Sequence, residues 1–276
     1  MVNRKELDPE KSPSARFGQL LRRLRDERGW TQDELAERMG CSGTHISAVE
    51  TGRRPPTPQF AKNADRVFGT GKRFERLSRA ARYTALLEGF PDYVAHEARA
   101  AEIRLYEVGV VPGLLQTREY AAALEADAVR REAITPEQAD ERVELVLRRQ
   151  AALARIPSPL IFVVLDEGCI RRPMGDPAIM DAQLEHLLRF AERPNTVLQV
   201  APFSMGARRP FSLPITVLTM PDRSLMSYAE SAQRGHLERE TGLVLPILTA
   251  YHQLQAEAPS QAASVDMIEQ LRKGTL

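Results

Sequence analysis

The chain has 276 residues, 43% of them apolar, and a formal net charge of +1, which gives length enough for two ordinary domains with real cores. Its two cysteines, Cys41 and Cys169, are far apart and its five histidines form no ligand-spaced pair, so a disulfide framework and a thiolate metal site are excluded. The opening MVNRKELDPEKSPS lacks an apolar core segment and no run of eighteen apolar residues occurs, so neither a signal peptide nor a membrane span is expected and a cytoplasmic protein is.

A flexible tail is expected over 1–13 and a helical domain over 14–88. Phe17, Leu20, Leu21 and Leu24 fall at helical spacing, which predicts an amphipathic helix over 14–28, stopped by Gly29. Thr31 with Glu34 makes a capping box for a second helix, with Leu35, Ala36 and Met39 inward and Gly40 at its end. Ser42 caps a third. Thr57-Pro58 starts a fourth, carrying Phe60, Ala64, Val67 and Phe68, and a fifth covers 72–87. Residues 1–82 hold 18 basic against 11 acidic side chains, a net of +7, which leaves 20 against 26, a net of −6, for the remainder. Such a split fits either a polyanion-binding module or a plain solvated helical face.

The texture changes near residue 90. Helices are expected over 93–107, 117–130 and 136–154, then four strands at 159–165, 196–203, 214–220 and 224–230. Asp176-Pro177 opens a helix between the first two strands, a βαβ unit that makes them parallel, and the Pro221–Arg223 turn makes the last two a hairpin. Helices at 236–257 and 261–272 close the chain. Residues 89–276 are therefore expected to form a mixed α+β domain with a small sheet of about four strands, for association or regulation.

The segment from Thr31 to Arg53 resembles the helix-turn-helix of the Xre (Cro/repressor-type) family, matching in Thr31-Gln32, Leu35-Ala36, Gly40, Ile46-Ser47, Glu50, Gly52 and Arg53. The resemblance implies a five-helix DNA-binding domain whose third helix enters the major groove, with Gly43, Thr44, Ser47 and Ala48 placed where bases are read. Gln32, at the positive end of the second helix, is expected to donate to a phosphate, and Arg53, Arg54 and the arginines of the first helix to supply affinity through phosphates. His45 either reaches a base or leans on the backbone. Ala48 stands where many relatives carry Arg or Gln, and no side chain on this face makes a bidentate pair with guanine or adenine. Readout is left to the Thr44 and Ser47 hydroxyls, methyl contacts and DNA shape.

The segments VPGLLQTREYAAAL (111–124), RVELVLRRQAAL (142–153), the stretch from Val163 to Leu188 and VAPFSMGARRPFSLPITVLTM (200–220) resemble the domain of unknown function that follows this helix-turn-helix in actinobacterial regulators of the WhiJ-like group. That resemblance implies a regulator and a small BldB-like partner protein, with no established catalysis. Asp166-Glu167, at the carboxyl end of a strand, faced by Arg149, Arg171 and Arg172, is either a ligand or partner site or an ordinary ion-pair network. Leu114, Leu115 and Tyr120 belong either to an association surface or to the core. No nucleophile–base constellation, metal spacing or glycine-rich phosphate loop occurs, so no enzyme and no cofactor are expected. The expected function is a sequence-specific, dimeric, nucleoid-associated transcriptional regulator of double-stranded DNA; the alternative is an antitoxin-like scaffold that holds a small partner and binds mainly its own promoter.

Overall fold

The computed structural model describes residues 13–54, 56–83, 89–231 and 234–274. The chain divides into two compact units, residues 1–88 and 89–276. The expected tail lies outside the described residues except for Pro13, which opens the first helix.

The first unit is helical: α1 (Pro13–Glu27), α2 (Gln32–Met39), α3 (Gly43–Glu50), α4 (Pro58–Phe68) and α5 (Arg73–Tyr83). The rest of the fifth helix as expected, 84–87, is outside the described residues. The starts of α2, α3 and α4 each have a side-chain cap. Thr31 and Glu34 form the full capping box of α2, Ser42 accepts from His45 N at α3, and Thr57 accepts from Phe60 N ahead of Pro58 at α4. Asp65 does the same for α5 from a distance, taking the backbone N–H groups of Phe74 and Glu75, both at 2.9 Å. Around these ends Phe17, Leu21, Leu35, Ile46, Val49, Phe60, Phe68 and Phe74 make one core, each such side chain worth about 1.5–3 kcal/mol when removed from water. Gly18 lets α1 approach α3 closely, for a Cβ there would stand 2.5 Å from the Val49 carbonyl oxygen.

The second unit is built on a sheet of six strands, not about four: β1 (Glu102–Glu107), β2 (Leu160–Asp166), β3 (Thr196–Ala201), β4 (Ile215–Thr219), β5 (Leu225–Glu230) and β6 (Gly235–Glu238), in the order β3-β2-β1-β4-β5-β6. As expected, β2 and β3 run parallel and β4 and β5 form a hairpin. The two strands missing from the sequence reading lay inside predicted helices. EIRLYE, the sequence of β1, reads as the end of a helix over 93–107 because its Glu and Arg look like a wet helical face; the helix α6 covers only Phe90–Glu97. In the sheet β1 is central, parallel to β2 and antiparallel to β4, and its polar residues pair across it, Arg104 donating to Thr219 Oγ1 at 3.0 Å. β6, GHLE, is four residues long and among the described residues pairs only with β5, too short to carry a period of its own.

On one face, Ile103, Leu105, Val163 and Leu198 of the strands pack against α6, α7 (Arg118–Arg130), α10 (Pro177–Ala191) and α12 (Gln261–Arg272) through Tyr93, Tyr120, Leu187 and Ile268. Between β1 and β2 the chain runs through α7 and α8 (Pro136–Ala152); α9 (Glu167–Arg171) follows β2 directly. On the other face α11 (Thr241–Glu257) lays Tyr251 and Leu254 over Tyr106 and Val164, and the Tyr251 hydroxyl sits 3.0 Å from the Phe162 carbonyl. The free edge of β3 is closed by α12, where Gln261 Oε1 accepts from Leu198 N and Ser264 Oγ from Val200 N, each at 2.9 Å. This blunts an edge that would otherwise template another strand. Leu114, Leu115 and Tyr120 are buried in this core, which removes them from any association surface.

Candidate nucleic-acid interface and strand-end cluster

The geometry of the first unit converges on Glu50, the last residue of α3, whose side chain is wholly buried. Arg25 of α1 grips it with two bonds, Nε to Oε1 at 2.6 Å and Nη2 to Oε2 at 3.0 Å. Gln32 of α2 donates Nε2 to the same Oε2 at 2.9 Å, and Arg22 donates to the Glu50 backbone carbonyl at 3.3 Å. One carboxylate thus fixes α1, α2 and α3 to each other. Its hydrogen bond raises the Arg25 pKa against the opposing effect of burial. In the sequence Glu50 stands only as one match to the family pattern; the i, i+25 spacing to Arg25 carries no local signal. Gln32 is consequently not a loose side chain, although its amide keeps a second N–H after bonding Glu50.

The outward side of α3 presents Thr44 exposed, with Gly43, Ser47 and Ala48 half-buried. Thr51 donates its hydroxyl to the Ser47 carbonyl at 2.7 Å and accepts from Arg53 Nε at 3.0 Å, so the exposed Arg53 is aimed from the helix end. His45 goes the other way. Its ring centroid lies 4.9 Å from that of Phe60 and its Nε2 is buried without a hydrogen-bond partner. Burial, then the nearby Arg54 charge, lowers its pKa. Of the two alternatives left open for His45, a base contact or a backbone contact, neither is made within the fold, where the ring packs between α3 and α4. Arg22 and Arg25 serve Glu50, and Arg22 together with Arg16 and Arg23 also lines an open groove of about 780 Å³ shared with Arg73 and Arg76 of α5.

In the second unit Asp166, Glu167 and Arg171 belong to an ion-pair network that Arg149 does not join. Asp166 caps α9, accepting from Gly168 N at 2.9 Å, and pairs with Arg209, which also reaches the Tyr106 hydroxyl at 3.3 Å. Glu167 pairs with Arg171 and accepts from Phe203 N at 2.7 Å. These bonds stitch the end of β2 to the segment after β3. Arg149 is not among them: it grips Glu97 with two bonds, at 2.8 and 2.7 Å, beneath the rings of Phe90 and Tyr93. Arg172 is not paired with Asp166 or Glu167 either; it lies beside Gly109. A carboxyl that sequence reading missed, Glu107 at the end of β1, is pushed up to about 8 by burial and by Glu230. Among the described residues no group of three His, Cys, Asp or Glu side chains is placed to hold a metal ion, and no helix is long and apolar enough to cross a membrane.

Residues 16–84 match the model of a helix-turn-helix domain, which marks the first unit as the kind of domain found in DNA-binding regulators. Residues 90–270 match the domain of unknown function DUF5753, and the chain belongs to that family. No curated protein and no solved structure matches it.

Proposed function

We propose that the protein is a sequence-specific transcriptional regulator of the Xre kind, binding double-stranded DNA through α3 and associating through its second unit. The observation that carries this reading is the Glu50 junction, which holds α3 rigidly against α1 and α2 while leaving Thr44 outside. A rigid helix with small exposed side chains approaches base edges closely; Thr44 and Ser47 then read by hydroxyl and methyl contacts. Gln32, through its second amide N–H, and Arg53 with Arg54 contact phosphates.

One helix-turn-helix covers few base pairs, so two are held on half-sites one helical turn apart. The second unit supplies that two-fold contact, and a small BldB-like protein acts on it. Leu243 and Leu245 support this role, standing 54% and 47% exposed on α11 either side of the buried Val244. The experiment is DNA binding and light scattering on the full chain, with and without the protein encoded beside it. A dimer whose DNA affinity changes with that partner supports the reading; a chain that stays monomeric on DNA contradicts it.

A further inference from the structure

Gly43 opens α3 with ordinary right-handed backbone, for it is not among the glycines of positive φ. Glycine is a poor helix former, so its presence there needs a spatial reason. A Cβ on Gly43 would lie 1.9 Å from Asp33 Oδ1 and 3.1 Å from Asp33 Cγ. The Asp33 carboxylate, reaching across from the first turn of α2, thus occupies the place where a side chain of the recognition helix would begin. It is exposed, and among the described residues no hydrogen bond or ion pair engages it.

We infer that Asp33, rather than a residue of α3, is the specificity-determining group at the head of the recognition helix, where it accepts a hydrogen bond from the N4 amino group of a cytosine. The inference rests on the DNA-binding reading above. In this motif the residues at the amino end of the recognition helix meet base edges. A carboxylate only accepts. Guanine offers N7 and O6, and thymine O4, all acceptors that repel it; adenine sets the N7 acceptor beside its amino group; cytosine alone offers a donor with no acceptor beside it on its own edge. A carboxylate brought into the groove without that donor loses water and gains nothing, which turns a modest contact into strong discrimination.

The test is selection of sites from randomised duplexes by the full chain, by Asp33→Ala and by Gly43→Ala. The wild type is expected to fix a C·G pair at one position of each half-site, and to bind roughly tenfold more weakly when that pair becomes T·A. Asp33→Ala loses the preference at that position alone, with its thermal midpoint kept. Gly43→Ala, whose methyl displaces the carboxylate, loses the same preference although Asp33 remains. A wild-type site in which no position responds to Asp33→Ala overturns the inference and leaves the DNA-binding reading standing; a responding position that carries adenine overturns the choice of base. A full chain that selects no site removes the DNA-binding reading itself, and this inference with it.

Discussion

Arg149 and Glu97 form a two-bonded ion pair inside the second unit, Nε to Oε1 at 2.8 Å and Nη2 to Oε2 at 2.7 Å, with the carboxylate 1% exposed. Burial disfavours the guanidinium charge, and Glu97 more than offsets it. Removing the guanidinium leaves the buried Glu97 carboxyl only the Tyr93 hydroxyl. Arg149→Met is therefore expected to destabilise the unit by about 3–5 kcal/mol, read as a lower urea midpoint. Glu97→Gln with Arg149→Met together should cost less than the sum of the two single changes, the sign of a coupled pair.

The same logic applies to the first unit, where the charge removed is also the joint between helices. Glu50→Ala takes the shared acceptor from Gln32 and leaves Arg25 only Asp26 and the Trp30 carbonyl, and is expected to lower stability by about 3 kcal/mol. Gln32→Ala removes one hydrogen bond to a charged group and should cost about 1.5–3 kcal/mol. Thermal unfolding of the full chain by far-UV circular dichroism orders the two; a Glu50→Ala no weaker than wild type would mean the junction holds nothing.

Glu107 gives a pH signature. Its carboxyl titrates near 8 in the fold against an ordinary value of 4.5, so the folded chain keeps a proton that the unfolded chain releases between those values. Stability from this group is full below pH 4.5 and is lost as pH rises towards 8. Glu107→Gln, which cannot ionise, should be more stable than wild type at pH 8 and lose that advantage by pH 5. Urea unfolding of both chains across that range measures the difference, and parallel curves would contradict it.

The caps and apolar spacings of the helical unit were legible because they are local: Thr31 to Glu34 and Thr57 to Pro58 announce α2 and α4 within four residues. The hidden parts depend on partners far along the chain. β1 is a strand because β2 and β4 lie on either side of it, and EIRLYE alone also reads as helix. Arg149 finds Glu97, 52 residues away, rather than the acidic pair after β2, because α8 delivers it under Phe90 and Tyr93. For His45 the sequence leaves a base or a backbone contact open, because its packing on Phe60 depends on α4, which no local spacing places. Gly43, expected at the reading face, holds its place through Asp33, a contact no sequence spacing reveals.

Affinity on any sequence should come mainly from phosphates. Raising salt from about 50 to 200 mM is expected to weaken binding to non-specific duplex by at least roughly tenfold for every two phosphates neutralised. Arg53→Ala should reduce that slope by about one and lower affinity on all sequences alike. Fluorescence anisotropy over a salt series measures both; a flat salt response would contradict phosphate contact.

Whether α3 reads the operator is measured by site selection from a randomised duplex library by the full chain carrying Thr44→Ala and Ser47→Ala together, beside the wild type. The double variant is expected to lose preference at one or two positions of each half-site, worth on the order of 1 kcal/mol apiece, with non-specific affinity and folding unchanged. The same selected site from both chains, position for position, would contradict it.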